Sequence, residues 1–189
     1  MHRLSRKTRF SVNPFLNETE IGDNSYASKP GGEGIALFFS FFVELLSDVD
    51  PQTGFVVNVS EIDKVVRKYA VPEISDYVKC RFKDKQHITL EDIFGKLEEI
   101  APQLNERFGE PKLDRLGLEL NPCRKIGLEM ENYKMAYFSE KFEFAAMHKL
   151  WNNEFSDEKN FEIFGKCANP SGHGHNYIIE VTVENSKFD

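Results

Sequence analysis

The sequence predicts an α+β fold in which two strands, two helices and two further strands follow one another along the chain. Near the start, stretches rich in Phe and Val have the composition of strands. Two later segments place apolar residues at the three- and four-residue spacing of amphipathic helices. Strand-like segments then return, so that residues 9–131 form one complete unit and a second unit begins at Tyr137.

The opening strands are predicted at residues 9–16 and 34–46, with further strand character at residues 55–59. The glycine-rich stretch 17–34 matches neither the Gly-x-Gly-x-x-Gly pattern nor the P-loop pattern, so we expect a plain hairpin connection there. The sequence DPQTG at residues 50–54 is typical of a turn.

The two helices are predicted from their first residues and their apolar faces. Ser60 is expected to cap the first helix. Thr89 is expected to begin the second helix, with Asp92 completing a capping box. Pro102 is expected to bend or end that helix because proline lacks a backbone N–H. The apolar faces consist of Ile62, Val65, Val66 and Tyr69 in the first helix and of Leu90, Ile93, Phe94, Leu97 and Ile100 in the second.

Two strands complete the first unit, around residues 116–120 and 126–128, with a turn at residues 121–123. In the second unit, alternating aromatic residues predict a strand that continues to His148. A short helix is expected at residues 156–164, closed by a glycine, and a strand follows it. The second unit is therefore predicted to hold two strands with one short helix between them.

We divide the chain into three parts on these patterns. Residues 1–8 are a basic arm that we expect to be frayed and solvated. Residues 9–135 are the complete α+β module, and residues 136–189 are the opening half of a second module.

Composition and charge exclude several classes of function. The 189 residues carry a net charge of −7, whereas a nucleic-acid partner would select a basic surface. Three widely spaced cysteines give no disulfide framework, and no signal peptide is recognisable. The most apolar stretch, residues 34–46, is too short to span a membrane. We therefore expect a reduced, cytoplasmic protein without a nucleic-acid or membrane partner.

Three of the five histidines form a candidate metal site. His173 and His175 are two residues apart at the start of a predicted strand, so their side chains project to the same face. His148, at the end of the neighbouring strand, is the natural third ligand. Three imidazoles leave one zinc position open for water or a substrate oxygen, which is typical of catalytic sites. The alternative is that all three are surface or turn residues.

Cys167 precedes His173 by six residues in the sequence FGKCANPSGHGHNY. A nearby cation favours the thiolate form, and a thiolate beside a metal-bound substrate can act as a general base. The spacing equally allows Cys167 to be a fourth zinc ligand, which would close the site. A free cysteine is most often a buried structural thiol, so three roles stay open for Cys167 at this point.

Three motifs in the second unit resemble the opening half of 6-pyruvoyl-tetrahydropterin synthases. They are FEFAAMH at residues 142–148, FSDEKN at residues 155–160 and FGKCANPSGHGHNY at residues 164–177. The related 6-carboxytetrahydropterin synthases share much of this pattern. The resemblance covers about residues 137–184 and implies the tunnelling fold, whose strand-strand-helix-helix-strand-strand order is the one predicted above for residues 9–131.

The resemblance also implies the chemistry of the site. In this family the residues matching His148, His173 and His175 bind Zn²⁺, and the residue matching Cys167 is the catalytic base. The implied activity is that of a lyase acting on a small molecule, 7,8-dihydroneopterin triphosphate. The five-residue gap between Cys167 and HGH is more similar to the pyruvoyl-type enzymes than to the carboxy-type enzymes of queuosine and deazapurine synthesis. Assembly into a homo-oligomer through sheet edges is implied as well.

The first module departs from the family where chemistry is expected. The stretch that should hold an Asp-His pair is SDYVKCRF, at residues 75–82. Glu119 lies near the place of a pterin-anchoring glutamate, but strand parity favours Leu120 there. We therefore expect a degenerate, catalytically silent module. Cys80 and Cys123 are expected to be structural thiols, and His87 is expected to be a solvated loop residue.

The sequence also allows alternatives to an enzyme that carries a complete active site within this chain. The chain is expected to be a truncated piece of a longer tandem protein, or else a neighbouring subunit supplies the missing Asp-His pair and glutamate. A non-catalytic pterin- or zinc-binding scaffold would fit the same residues. A purely structural zinc module would need Cys167 as its fourth ligand.

Overall fold

A computed structural model describes residues 1–15 and 36–185 of the chain. The strands are β1 (His2–Val12), β2 (Leu37–Ser47), β3 (Lys112–Asn121), β4 (Arg124–Glu129), β5 (Asn132–His148) and β6 (His173–Asn185). The helices are α1 (Val59–Tyr69), α2 (Val71–Lys83), α3 (Leu90–Phe108) and α4 (Asp157–Phe164), which leads into a 3₁₀ helix at Gly165–Ala168. The predicted connection at residues 17–34 lies outside the described residues.

The strands follow one another in the sheet in chain order, from β1 to β6. The pairs β1–β2, β2–β3 and β3–β4 are antiparallel. Leu116 of β3 lies opposite Val43 of β2 and opposite Leu128 of β4. The predicted α+β class is therefore confirmed as helices combined with an antiparallel sheet, whereas the division into one and a half modules of a particular fold stays a prediction.

The chain divides into two compact units. The first consists of residues 1–139 together with the end of β6 from residue 182, and the second consists of residues 140–181. The predicted boundary between residues 135 and 136 falls inside β5. No helix in the described part of the chain is long and apolar enough to cross a membrane.

The core of the first unit lies between α1–α3 and one face of the sheet, because alternate strand residues are apolar. Burying a side chain of Leu or Phe size contributes about 1.5–3 kcal/mol. The largest fully buried side chains are Phe41, Leu45, Ile62, Ile74, Leu97, Ile100, Leu104, Leu113, Leu116, Leu118, Ile126 and Leu128.

The prediction of a frayed arm at residues 1–8 is wrong, because β1 begins at His2. Arg6 donates through Nε and Nη2 to the carboxylate of Asp63 on α1, at 3.0 and 2.6 Å. Thr8 Oγ1 donates to the same carboxylate at 3.1 Å. A basic residue in this segment therefore pairs with a buried acid rather than with solvent, and this pairing ties α1 to β1.

The strand predicted at residues 55–59 is also wrong, because α1 begins at Val59. The capping residue is Asn58 rather than Ser60: the Asn58 Oδ1 accepts the backbone N–H of Ser60 at 3.0 Å. The apolar face of this helix is confirmed, since Ile62 and Val66 are buried. The apolar composition of residues 55–59 therefore marked a helix start and not a strand.

Helices α2 and α3 depart from the sequence pattern in two respects. Helix α2 was not predicted; it begins with Pro72 in its first turn, where a missing N–H costs least. Helix α3 continues through Pro102 to Phe108. The buried residues on both sides of the proline, Ala101 and Leu104, explain why packing outweighs the lost hydrogen bond.

The start of α3 is as predicted. Thr89 and Asp92 form a reciprocal capping box, with the Thr89 N–H donating to Asp92 Oδ2 at 2.8 Å and the Asp92 N–H donating to Thr89 Oγ1 at 3.1 Å. The hydrogen bond from the Thr89 backbone, followed by that from Arg81, holds the pKa of Asp92 well below its ordinary value. Leu90 of the predicted apolar face is exposed, whereas Ile93 and the later residues of that face are buried.

The second unit contains the ends of β5 and β6 that carry the histidines, with α4 and the 3₁₀ helix between them. Ser156 caps α4 by accepting the Lys159 N–H at 3.3 Å, and Gly165 closes it with a φ of 53°. The closing glycine was predicted, and the helix begins at Asp157, one residue after the predicted start. Phe144 and Tyr177 stack across the two strands with ring centroids 5.4 Å apart, which brings the strands together next to the histidines.

Candidate metal centre

His148, His173 and His175 converge at the end of the β5–β6 hairpin. One ring nitrogen from each lies within 4.8 Å of the others. The Nε2 atoms of His148 and His173 are 2.9 Å apart. The ring centroid of His175 lies 4.9 Å from that of His148 and 4.7 Å from that of His173. The structure therefore brings the three predicted ligands together, and their binding of zinc stays a prediction.

The local sequence explains why the rings can meet. His173 and His175 lie on one face of β6 because alternate strand residues share a face. Gly172 precedes them with a φ of 67°, and a Cβ atom at this glycine would lie 2.7 Å from the carbonyl oxygen of His148. The close approach of the two chain segments that carry the ligands therefore requires glycine at position 172.

A tight turn delivers the chain to Gly172. The backbone N–H of Gly172 donates to the carbonyl of Asn169 at 2.8 Å. The N–H of Ser171 donates to the side-chain Oδ1 of Asn169 at 3.2 Å. Asparagine favours such turns because its side chain can satisfy a backbone N–H two residues ahead. The turn fixes how the chain passes from the 3₁₀ helix to His173.

The surroundings of His173 favour its neutral imidazole form. Burial lowers the pKa of His173 below its ordinary value, and the charges of His148 and His175 lower it further. The Nδ1 atom of His173 is buried without a hydrogen-bond partner in the described part of the chain. A metal ion binds the neutral form of histidine, so these surroundings suit a ligand.

Cys167 lies on the 3₁₀ helix and is half-buried. Its carbonyl oxygen accepts the N–H of Leu150 at 2.9 Å, which ties it to the segment that follows His148. In the described part of the chain, the cluster of potential ligand atoms holds the three histidines and does not include Cys167. This arrangement speaks against the fourth-ligand role, one of the three roles that the sequence left open for Cys167, and does not separate the other two.

Asn160 is a residue that the sequence patterns did not single out. It is fully buried on α4, and its side chain hydrogen-bonds backbone groups of the preceding segment, among them those of Asn152 and Ser156. Asn160 is the last residue of the motif FSDEKN, which was part of the resemblance. Hydrophobic periodicity does not identify such a residue, because it is polar and its partners are backbone groups that precede its helix.

The remaining candidates lie in the first unit. Residues 75–82 are part of α2, where Arg81 Nη2 lies 2.9 Å from Asp92 Oδ2. Glu119 pairs with Lys7, whereas Leu120 packs against the core. Among residues 1–15 and 36–185, the histidine cluster is the one group of side chains with the composition of a metal site. Cys80, Cys123 and His87 are exposed, so the two cysteines are not structural thiols of the core.

Comparison with known proteins shows what this part of the chain is similar to. The sequence model of the family described as 6-pyruvoyl tetrahydropterin synthase matches residues 137–189. The resemblance predicted from the three motifs is thereby confirmed.

The curated relatives of this segment come from distant organisms. The 6-pyruvoyl tetrahydrobiopterin synthase of Homo sapiens is 52% identical over 48 residues, which are 25% of this chain and 33% of that protein. The synthase of Drosophila melanogaster is 44% identical over 54 residues, which are 29% of this chain and 32% of that protein. The chain thus spans about a third of the length of the curated relatives it matches. No solved structure matches it.

Proposed function

We propose that the chain acts as a 6-pyruvoyl-tetrahydropterin synthase-type lyase with zinc bound by His148, His173 and His175. The observation that carries the proposal is the convergence of three ring nitrogens within 4.8 Å inside a segment that matches the model of that family. Three nitrogen ligands fit zinc and leave a position open, as in catalytic sites. The lowered pKa of His173 supports the assignment because the neutral ring is the form that binds metal.

The chain's own residues divide the work at this site. The histidines would hold the ion from two strands, which fixes its place relative to the backbone. Bound zinc supplies Lewis acidity that polarises the hydroxyl groups of a substrate side chain. Cys167, which lies outside the histidine cluster and is tied to Leu150, would accept a proton from the substrate as a general base.

We propose 7,8-dihydroneopterin triphosphate as the substrate, as the family segment implies. Cys167 would move protons on the side chain of the pterin while triphosphate leaves, and the product would be 6-pyruvoyl-tetrahydropterin. The carboxy-type reaction is the alternative for the same zinc ligands and cysteine. The relatives from Homo sapiens and Drosophila melanogaster are both named 6-pyruvoyl tetrahydrobiopterin synthase, which favours the pyruvoyl product.

Residues 75–82 contain no Asp-His pair, and strand parity favours Leu120 rather than Glu119 at the place of a pterin-anchoring glutamate. The chain spans about a third of the length of its relatives. We propose that residues other than these 189 supply the Asp-His pair and the glutamate, and that the chain assembles into a homo-oligomer.

A non-catalytic zinc- or pterin-binding scaffold is the second candidate. The observation that favours it lies on α2, where Arg81 is paired with Asp92 at the place expected for catalytic residues. Zinc content does not separate the two candidates because both include the metal. Turnover does separate them.

The deciding experiment is turnover of 7,8-dihydroneopterin triphosphate by the purified, zinc-loaded chain, with the products identified by mass. A pyruvoyl or carboxy product would establish the enzyme and its subtype. Bound zinc without any product would establish the scaffold for the chain on its own.

Replacement of Cys167 tests the proposed base. We expect Cys167→Ala to keep its zinc and to lose activity by about a hundredfold or more, because a general base contributes a factor of that order. Cys123→Ala, at an exposed cysteine of the β3–β4 turn, is the matched control and should keep full activity. Full activity of Cys167→Ala would contradict the assignment.

A further inference from the structure

The side chain of Asn160 fixes the backbone that precedes its own helix. Its Nδ2 donates to the carbonyl oxygens of Asn152 at 2.9 Å, Phe155 at 3.3 Å and Ser156 at 3.1 Å. Its Oδ1 accepts the N–H of Asn152 at 2.8 Å. The side chain is fully buried, so these four contacts replace water on both of its polar atoms. Residues 152–156 are thereby held to α4.

The segment held by Asn160 connects directly to the candidate site. It follows His148, the last residue of β5, and the Leu150 N–H donates to the carbonyl of Cys167 at 2.9 Å. Cys167 in turn lies on the 3₁₀ helix that continues from α4, which carries Asn160. The chain therefore forms a closed ring from Leu150 through the fixed segment and α4 to Cys167 and back to Leu150.

The histidine ligands are attached differently. His148, His173 and His175 lie on β5 and β6, and a turn at Asn169 joins the 3₁₀ helix to His173 through the bond from the Gly172 N–H to the Asn169 carbonyl. Loss of the Asn160 contacts would loosen the ring that carries the cysteine, whereas the strands that carry the histidines keep their own contacts.

We propose that Asn160 is the positioning residue for Cys167: its buried amide holds residues 152–156 and so keeps the Cys167 thiol in place relative to the histidine cluster. The inference rests on the proposed function, in which Cys167 is the base. In this proposal Asn160 acts on Cys167 indirectly, through the segment that it holds and through the backbone hydrogen bond from Leu150 to Cys167.

The test uses the whole chain and three variants. Asn160→Asp keeps the acceptor for the Asn152 N–H but replaces the donating amide by a carboxylate oxygen that faces three carbonyls. Asn153→Asp is the matched control, since it adds the same charge at an exposed asparagine of the same segment. Asn160→Ser is a second, uncharged variant that decides the matter if Asn160→Asp does not fold.

The measurement is the rate of alkylation of Cys167 by iodoacetamide, resolved by mass spectrometry, with exposed Cys80 and Cys123 as internal references. We expect a rise of about tenfold for Cys167 in the Asn160 variants and none in Asn153→Asp, because losing bonds to a buried amide shifts local opening by about that factor. Zinc affinity, measured by chelator competition, is expected to stay within about twofold because the ligands lie on the strands.

The outcomes separate positioning from a merely structural role. Faster alkylation of Cys167 with unchanged zinc affinity supports the proposal. An unchanged Cys167 rate in folded Asn160 variants overturns it. Parallel loss of zinc affinity and thiol protection in Asn160→Ser also overturns it, since Asn160 would then support the whole unit. Alkylation requires no turnover, so a failure of the proposed lyase activity is seen separately from a failure of this inference.

Discussion

Gly172 is the position where the backbone of the candidate metal centre has least room. Its φ of 67° disfavours any side chain, and an added Cβ would lie 2.7 Å from the His148 carbonyl oxygen. We expect Gly172→Ala to cost about 1–3 kcal/mol in strain and to weaken zinc binding by roughly tenfold or more, because the two strands that carry the ligands must move apart. Competition with a chromophoric chelator measures the zinc dissociation constant.

Gly174 provides the matched control two residues later. A Cβ there would have its nearest neighbour, the Ala146 carbonyl oxygen, at 3.9 Å, which is an ordinary contact. Gly174→Ala is therefore expected to bind zinc nearly as the unchanged chain does. Equal zinc affinity in the two alanine variants would show that close approach at Gly172 does not set the ligand geometry.

Single residues differ in how far the sequence predicts them. His173 and His175 were predictable because strand periodicity alone places residues i and i+2 on one face. Their approach to His148 follows from pairing of the strands. The roles of Gly172 and Asn160 were not predictable from periodicity, since both depend on contacts with backbone carbonyls that only the folded chain brings near.

A buried ionic contact joins strand β1 to helix α1. Asp63 is 5% exposed and accepts hydrogen bonds from Arg6 and Thr8. We expect Asp63→Asn to lower the free energy of unfolding of the first unit by about 2 kcal/mol, less than for a fully buried pair because Arg6 is partly exposed. Urea unfolding followed by circular dichroism of the helices measures the change.

The exposed pair on the same helix is the control for Asp63. Glu61 and Lys64 lie 2.9 Å apart with both side chains more than half exposed. Because solvent screens such a pair, Glu61→Gln should change the free energy of unfolding by less than about 0.5 kcal/mol. If the two carboxylate replacements have the same effect, the contact of β1 with α1 is not an important part of the first unit's stability.

Elements with strong periodicity or caps were predictable, and those that depend on packing were not. The capping box was predictable because Thr89 and Asp92 are close in sequence and form it without help from distant residues. Strand β1 was missed at residues 2–8 because charged residues there suggested solvent, whereas Arg6 meets a carboxylate 57 positions away. Pro102 was expected to bend or end its helix, but α3 continues to Phe108 because buried neighbours of the proline hold it together.

At the scale of the whole molecule, the two units differ in how they are stabilised. The first unit has an extensive apolar core beneath α1–α3. The second unit exposes large apolar side chains, among them Phe142, Phe144, Ile179 and Val181. A metal ion bound by the three histidines would cross-link the two strands of this unit. We therefore expect zinc to stabilise residues 140–181 and to leave the first unit unchanged.

Hydrogen exchange followed by mass spectrometry tests this expectation. At a zinc concentration about a hundredfold above the dissociation constant, the bound state gains about 2.7 kcal/mol, so amides of residues 140–181 that exchange through opening of the site should slow by about a hundredfold. Amides of α1–α3 should exchange at the same rate with and without zinc. His175→Ala removes one ligand and should abolish the effect. Equal slowing in both units would mean that zinc acts on the chain as one cooperative body, and no slowing in either would exclude the histidine cluster as a zinc site.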